Sequence, residues 1–294
     1  MEQPLLPVGC VIMASGLARR FGSNKLLADF GGRPLLCRAL DATNTPQLAA
    51  RIVVTRSAEV EALCKAEGVP CLVHGLPGRN DTVRLGLDTV EETDEGFSIG
   101  AMVTLRQLEL HEGLAAYTGG AVRESVRHIV GVQLRNLATV GGSIYSRFGF
   151  SDVLTMFLAL NASVELYKGG IVPLAEYAAR PYDRDILVRV LVPKEAASFC
   201  YQSVRNSQTD FPVLTCAAAK TAEGYRFAIG ARPGKAMLFA LKPNGAETPE
   251  LTADRFAAEV RAQIKTESNL RGSAEYRNHL AGVLVKRAVR RLEA

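Results

Sequence analysis

Between Leu134 and Asp152 the chain reads LRNLATVGGSIYSRFGFSD, and this stretch gathers the residues best suited to hold an anion. Thr139, Gly141, Gly142 and Ser143 fall together, with Asn136 just ahead and Ser151-Asp152 at the end. Adjacent glycines let backbone N–H groups approach a ligand with no Cβ in the way. Flanking hydroxyls add donors to the same oxygens. A diphosphate is the group such a loop takes; a bare Gly-Gly would also serve as a tight turn before a helix. A second constellation lies in MASGLARRFGSNK, where Gly16, Arg20, Gly22 and Lys25 alternate glycine with cation. That pattern suits a triphosphate, with backbone donors for the oxygens and side-chain charge to neutralise them.

The elements that must position these loops follow from apolar patterning. Pro7 to Ala14 is a short apolar run feeding the first loop, as a buried strand does. Pro34 opens a helical pattern as an N1 proline, Arg51 to Thr55 and Pro70 to Val73 read as strands, and Ala58 to Glu67 as a helix. Alternating strand and helix predicts a parallel α/β sheet. From Phe97 the pattern changes to a short strand, a helix start at Thr104, and helical period over Val122 to Ile129. Ser151 and Asp152 are placed to cap a helix over Val153 to Leu160, with strands at Ala162 to Tyr167 and Ile186 to Val192. Phe199 to Val204, Phe211 to Thr221 and Tyr225 to Ile229 read as antiparallel strands, and GARPGKAM as the start of a helix. Amphipathic helices are predicted over Thr252 to Lys265, capped by Thr252 or Asp254, and over Ser273 to Leu292. Arg277 and His279 read as surface residues.

At 294 residues the chain has room for two or three cores, and 48% hydrophobic with 22% charged residues describes an ordinary globular protein. Three units are expected, 1–96, 97–195 and 196–294. The net charge of +5 is spread out except for Lys286, Arg287, Arg290 and Arg291, read as the polar face of the last helix and not as a nucleic-acid patch. The six cysteines lie apart with no C-x-x-C, so buried free thiols are expected and no metal, zinc or iron–sulfur site of the chain's own. No run is long enough to span a membrane and no leader pattern is present, which predicts a cytoplasmic location.

MASGLARRFGSNKLL resembles the opening L-x-A-G-x-S-x-R-x-G-x-x-K of the MobA-like nucleotidyltransferases, most of all the molybdenum cofactor cytidylyltransferase branch. Gly16, Arg20, Gly22 and Lys25 fall on that motif, Ala18 stands where serine is usual, and GRNDTVRLGL (Gly78 to Leu87) resembles the family's second nucleotide-side loop. The resemblance implies a Rossmann-like half-domain that binds a nucleoside triphosphate, CTP with magnesium. The acidic D-x-P motif that holds the metal in that family has no counterpart in DTVEETDEGFSIGAMVTL. In-line transfer without that carboxylate loses its main electrostatic stabiliser, so little transferase activity is expected.

IGAMVTLRQLE and then HIVGVQLRNLATVGGSIYSRFGFSDVLTMFLALNASVELY resemble the FAD-binding subunit of the molybdenum hydroxylases, the xanthine dehydrogenase and carbon monoxide dehydrogenase group. FPVLTCAAAK, IGARPGKA and RGSAEYRNHLAGVLVKRAV resemble the C-terminal domain of the same subunits. The resemblance implies α+β units, with Thr139, Gly141, Gly142 and Ser143 lining FAD and Asn136 and Asp152 holding the loop or the cofactor. Tyr145, Phe148 and Phe150 would supply an apolar wall or pack in the core. It also implies molybdopterin-binding and iron–sulfur partner subunits, with NAD or another electron acceptor; Arg232 and Lys235 would approach the cofactor or NAD, or stand solvated. The family's earlier A-G-G-T-D type loop has no counterpart before Phe97, and losing its charge-assisted contacts predicts weakened FAD binding.

Both resemblances point to molybdenum hydroxylases, which suggests a fusion of neighbouring coding regions joined near Asp94 to Phe97. The first reading is a FAD-dependent electron-transfer subunit. A CTP-dependent nucleotidyltransferase and a non-catalytic remnant that binds partner subunits are the alternatives.

Overall fold

The computed structural model describes residues 8–14, 24–46, 48–73, 88–182, 185–245 and 247–294. Gly16, Arg20, Gly22 and the Gly78 to Leu87 loop fall outside these residues. The architecture is mixed α/β, with an N-terminal parallel sheet followed by two antiparallel sheets that carry helices.

The first unit runs β1 (Val8–Ala14), α1 (Leu35–Ala42), β2 (Leu48–Thr55), α2 (Ala58–Ala66) and β3 (Cys71–Val73). β2 is central and parallel to both neighbours, as strand–helix–strand alternation requires. Leu36, Leu40, Val53, Val60 and Cys64 form its small core. The Thr55 hydroxyl donates to the Ala14 carbonyl at 2.9 Å and ties the ends of β1 and β2 together. Pro34 stands one position earlier than predicted, as the residue capping α1 in an extended conformation, where its missing N–H costs nothing.

The second unit is a five-stranded antiparallel sheet, built from β4 (Val90–Glu92), β5 (Gly96–Gly100), β6 (Ser163–Leu166), β7 (Gly170–Pro173) and β8 (Leu187–Pro193) in the order β4-β5-β8-β6-β7. β4 precedes Phe97 in sequence and pairs with β5, Glu92 opposite Phe97. Between β5 and β6 the chain winds through α3 (Leu105–Leu110), α4 (Glu112–Tyr117), α5 (Ala121–Val126), α6 (Val132–Arg135), α7 (Val140–Tyr145) and α8 (Asp152–Ala159); α9 (Leu174–Ala179) follows β7. Thr104 starts α3 with a capping box, exchanging hydrogen bonds with Gln107. Every residue of α8 is buried; six of its eight are apolar, and the two polar ones, Asp152 and Thr155, find hydrogen-bond partners inside.

The third unit is the sheet β12-β11-β10-β9, from β9 (Ala197–Arg205), β10 (Pro212–Thr221), β11 (Gly224–Gly230) and β12 (Met237–Leu241), with α10 (Pro249–Gln263) and α11 (Ala274–Glu293). One face of this sheet, Phe199, Tyr201, Ala217, Ala219 and Ala228, joins the core around α8. The other face, with Cys216, Ala218, Phe227 and Ile229, packs on Phe256, Val260, Leu284 and Ala288 of the two helices. Small side chains on β10 let helices approach from both sides.

Three expectations are corrected. The segment after GARPGK is the strand β12 and not a helix: Met237, Phe239 and Leu241 lie opposite Ile229, Phe227 and Tyr225, and the pairing satisfies the edge of β11. α10 starts at Pro249 under the Thr248 hydroxyl, ahead of the predicted Thr252 or Asp254 cap. Arg277 is fully buried, not on the surface. Its guanidinium donates to the carbonyls of Val213 (2.9 Å), Glu267 (2.7 Å) and Gly272 (2.5 Å) and to the Asn269 side chain (2.6 Å). Burial, with Arg271 nearby, draws its pKa below the ordinary value. His279 is exposed, as expected.

Among the described residues no helix is long and apolar enough to cross a membrane. Cys37, Cys64, Cys200 and Cys216 are buried and unbridged, and burial pushes Cys200 up to about 11, as inert packing thiols require.

Candidate functional site

The Leu134 to Asp152 stretch folds as two helix starts facing a cavity. Ala138 and Val140 hydrogen-bond to the strand-like backbone around Val103 and Leu105, which fixes Thr139 as the residue ahead of α7. The Thr139 hydroxyl accepts from the Gly142 N–H at 3.1 Å. Gly141 sits on the inner side: its N–H donates to the Ala101 carbonyl at 2.8 Å, and a Cβ there would come within 2.6 Å of that oxygen. Gly141 therefore serves close packing of α7 against β5's end. Gly142 faces the other way and lines the cavity, where a Cβ would meet only the Thr139 hydroxyl, at 3.3 Å.

Ser151 caps α8, accepting from the Leu154 N–H at 3.1 Å and donating to the Ser143 carbonyl at 2.8 Å, so the two helix starts are hydrogen-bonded to each other. Gly149 holds the connecting loop against the third unit: its carbonyl accepts from the Ala231 N–H at 2.6 Å, and a Cβ there would meet the Gly234 carbonyl at 2.2 Å.

The cavity they face has a volume of about 520 Å³, within the ~300–1,000 Å³ usual for small-molecule sites. Thr139, Gly142, Ser143 and Asp152 line it. Asn136 is exposed and Gly141 is buried behind the wall, so the structure brings four of the six predicted residues to one surface. Leu105, Ile129 and Leu137 supply an aliphatic side. Phe148 and Phe150 stack with ring centroids 5.0 Å apart, and Phe211 meets Phe150 edge-on at 4.7 Å. All three rings stay substantially exposed. Tyr145 packs elsewhere, beside Tyr182 and Arg147.

The remaining wall comes from residues the sequence reading passed over: Arg205, Thr209, Asp210 and Phe211, at the β9–β10 connection. Arg205 and Tyr201 both reach the buried Asp152 carboxylate. Burial pushes the Asp152 carboxyl up from its ordinary value, and the Arg205 charge and the Tyr201 hydrogen bond oppose that push. Burial and the Asp152 charge hold the Tyr201 phenol well above its ordinary value, so it stays a donor. At the rim Arg271 pairs with Asp210 at 3.0 Å and lies over the Phe211 ring at 5.0 Å. No local pattern marks these residues, because their relation to Asp152 spans more than fifty positions; an exposed Phe at the end of the polar run NSQTD is the only hint.

Below the cavity the segment 129–135 is anchored by Arg135, which donates to Glu109 at 2.9 Å and to the Ile129 carbonyl at 3.1 Å. Burial raises the Glu109 carboxyl, but hydrogen bonds and charge from Arg106 and Arg135 outweigh it and hold it below the ordinary range. Arg232 and Lys235 do not approach the cavity: Lys235 caps the end of α9 at the carbonyls of Ala178 (3.0 Å) and Ala179 (3.2 Å), and Arg232 bonds the Lys235 and Lys265 carbonyls. At the N-terminal loop only Lys25 is described, and it is exposed.

An aromatic and aliphatic wall with a hydroxyl-lined edge suits a planar heterocycle carrying a polar chain. The family comparisons agree. Residues 81–195 match the FAD binding domain in molybdopterin dehydrogenase, and residues 199–292 the CO dehydrogenase flavoprotein C-terminal domain. The chain is 30% identical to the uncharacterized protein YgfM of Escherichia coli K12 over 202 residues, 68% of this chain and 74% of that one.

The chain belongs to the FAD-binding medium subunits of the molybdenum hydroxylases.

The carbon monoxide dehydrogenase medium chain of Afipia carboxidovorans is 27% identical over 233 residues, 70% of this chain and 78% of that one. The medium-subunit fold recurs in reconstituted CO dehydrogenase from Oligotropha carboxidovorans, with TM-score 0.66 at 19% identity over 99% of each chain. Ahead of the medium-subunit region, residues 10–101 match a MobA-like NTP transferase domain, and the two matches overlap over 81–101. A probable molybdenum cofactor guanylyltransferase of Pyrococcus horikoshii is 32% identical over 65 residues, 22% of this chain and 34% of that one.

Proposed function

We propose that this chain is the FAD-carrying electron-transfer subunit of a molybdopterin-dependent dehydrogenase, taking electrons from iron–sulfur clusters on a partner subunit and passing them to NAD or another acceptor. The cavity between α7, α8 and the β9–β10 connection carries the reading, because it joins an aromatic wall to a hydroxyl-bearing edge on residues of the flavin-type stretch. The residues fit the cofactor. Gly142 presents backbone with no Cβ, Phe148, Phe150 and Phe211 offer faces and edges to a ring, and the Thr139 and Ser143 hydroxyls reach the polar side. FAD, when bound, supplies the electron relay. The chain's own part is to hold the ring against the aromatic wall, exclude water there, and keep the wall's two halves together through Asp152 and Arg205. Gly141 acts on the loop's shape and not on the flavin itself.

The three units serve one soluble, cytoplasmic subunit in this proposal. The MobA-like unit is its first lobe, and the fold match over 99% of the chain, which includes that unit, supports this role. A CTP and magnesium site at Gly16, Arg20, Gly22 and Lys25 is the second reading, favoured by the NTP transferase match; the missing D-x-P carboxylate predicts nucleotide binding without transfer. Titrating the purified chain with FAD and separately with CTP and magnesium tests both. Saturable FAD binding with a visible flavin spectrum supports the first, CTP binding alone supports the second, and neither contradicts both.

A further inference from the structure

A second cavity of about 350 Å³ backs onto the first and shares Arg205 with it. Its walls are α5 with the following His128, the β9 residues Gln202 and Ser203, and Arg287 and Arg291 of α11. The basic cluster at the end of the chain is divided by the fold. Lys286 pairs with Asp254, and Arg290 lies on the same side, near that carboxylate. Arg287 and Arg291, one turn apart and on one helix face, border the cavity, and neither pairs with a carboxylate among the described residues.

The acid in the wall, Glu124, is already engaged by Arg127 at 3.0 Å and lies 3.6 Å from His128. Arg205 turns its own charge away, to Asp152. The Gln202 Nε2 is buried with no hydrogen-bond partner beyond the neighbouring Cys200 thiol, and on the opposite face of the strand Ser203 Oγ accepts from Arg205 at 3.2 Å. An uncommitted pair of arginines on α11 therefore borders a concave site beside the Gln202 amide, which is on the same face of β9. Two forked cations with a neutral donor beside them is the chemistry that holds a phosphate group.

We propose that this cavity is a binding site for a phosphate-bearing anion, gripped by Arg287 and Arg291 and completed by Gln202. Apart from the shared Arg205 its lining differs from that of the flavin cavity, and it does not depend on flavin being bound.

The test is calorimetric titration of the full chain at low salt with inorganic phosphate, pyrophosphate and AMP. Saturable binding is expected, with AMP tighter than phosphate if the source is a nucleotide and no tighter if it is the free ion. Arg287→Ala/Arg291→Ala is expected to weaken binding roughly tenfold or more, since it removes charge-assisted contacts. Gln202→Leu, which changes no charge, is expected to weaken it several-fold, while Arg290→Ala leaves it unchanged. Unfolding curves of each variant show that the fold is kept. Absence of binding, equal affinity in the double variant, or an equal loss in Arg290→Ala overturns the proposal, the last because it would mean diffuse surface charge.

Discussion

Asp152, the first residue of α8, and Arg205, at the end of β9, form a buried ion pair that joins the second unit to the third at the wall of the flavin cavity. Tyr201 adds its hydroxyl to the same carboxylate. Removing one partner of such a pair leaves a buried charge uncompensated. Asp152→Ala is therefore expected to cost about 3–5 kcal/mol of stability, and Arg205→Met with Asp152→Leu together much less than the single change. Chemical unfolding of the two variants beside the unaltered chain checks this; equal losses would mean that the pair contributes nothing specific.

The two glycines of the loop have separate duties, and single substitutions separate them. Gly141→Ala drives a methyl into the Ala101 carbonyl and is expected to destabilise by about 1–3 kcal/mol. Gly142→Ala meets only the Thr139 hydroxyl, at 3.3 Å, so the fold is expected to persist while FAD affinity falls. Unfolding midpoints and flavin titration on the same preparations distinguish the effects.

Arg277 satisfies three backbone carbonyls and Asn269 from a fully buried position. Arg277→Ala leaves those acceptors without donors and opens a cavity, with an expected loss of about 3 kcal/mol or more. Arg277→Lys is expected to restore only part, because one ammonium cannot span acceptors on several sides. Thermal melts of the two variants provide the comparison.

Acid is expected to loosen specific staples. Hydrogen bonds from Arg255, with smaller help from Asn244, lower Glu247 to about 2, and Arg106 and Arg135 hold Glu109 below its ordinary value against burial. In both cases the folded state keeps the carboxylate ionised, so the unfolded chain binds more protons as pH falls. Their stabilisation is full above the unfolded value near 4.5, and for Glu247 it is lost as pH drops from there to about 2. Urea midpoints at pH 7, 4.5 and 3 are expected to fall in that order, less steeply in Glu247→Gln.

Much of the architecture was legible because its signals are local. The strand–helix alternation of the first unit, the Ser151 cap on α8 and the paired strands around Phe211 to Thr221 and Tyr225 to Ile229 each rest on a few neighbouring residues. β12 was misread because its five residues carry no turn signal that separates strand from helix; only the open edge of β11 selects the strand. Arg277 looked like any polar helix residue, and what buries it is the loop 267–272 folding over it. The site divides the same way. Thr139, Gly142 and Ser143 announced themselves by spacing, whereas Arg205 and Phe211 reach the cavity through sheet register far along the chain.

The central claim, that the cavity beside Phe148 and Phe150 holds flavin, is tested most directly by titrating FAD into the full chain and into Phe150→Asp. A negative charge in the aromatic wall repels the ring and costs desolvation, so the variant is expected to bind at least tenfold more weakly while keeping its unfolding midpoint. Lys25→Ala, at an exposed residue that does not line this cavity, is expected to bind FAD as the unaltered chain does. A chain that takes up no FAD, or a Phe150→Asp variant that binds it undiminished, contradicts the account.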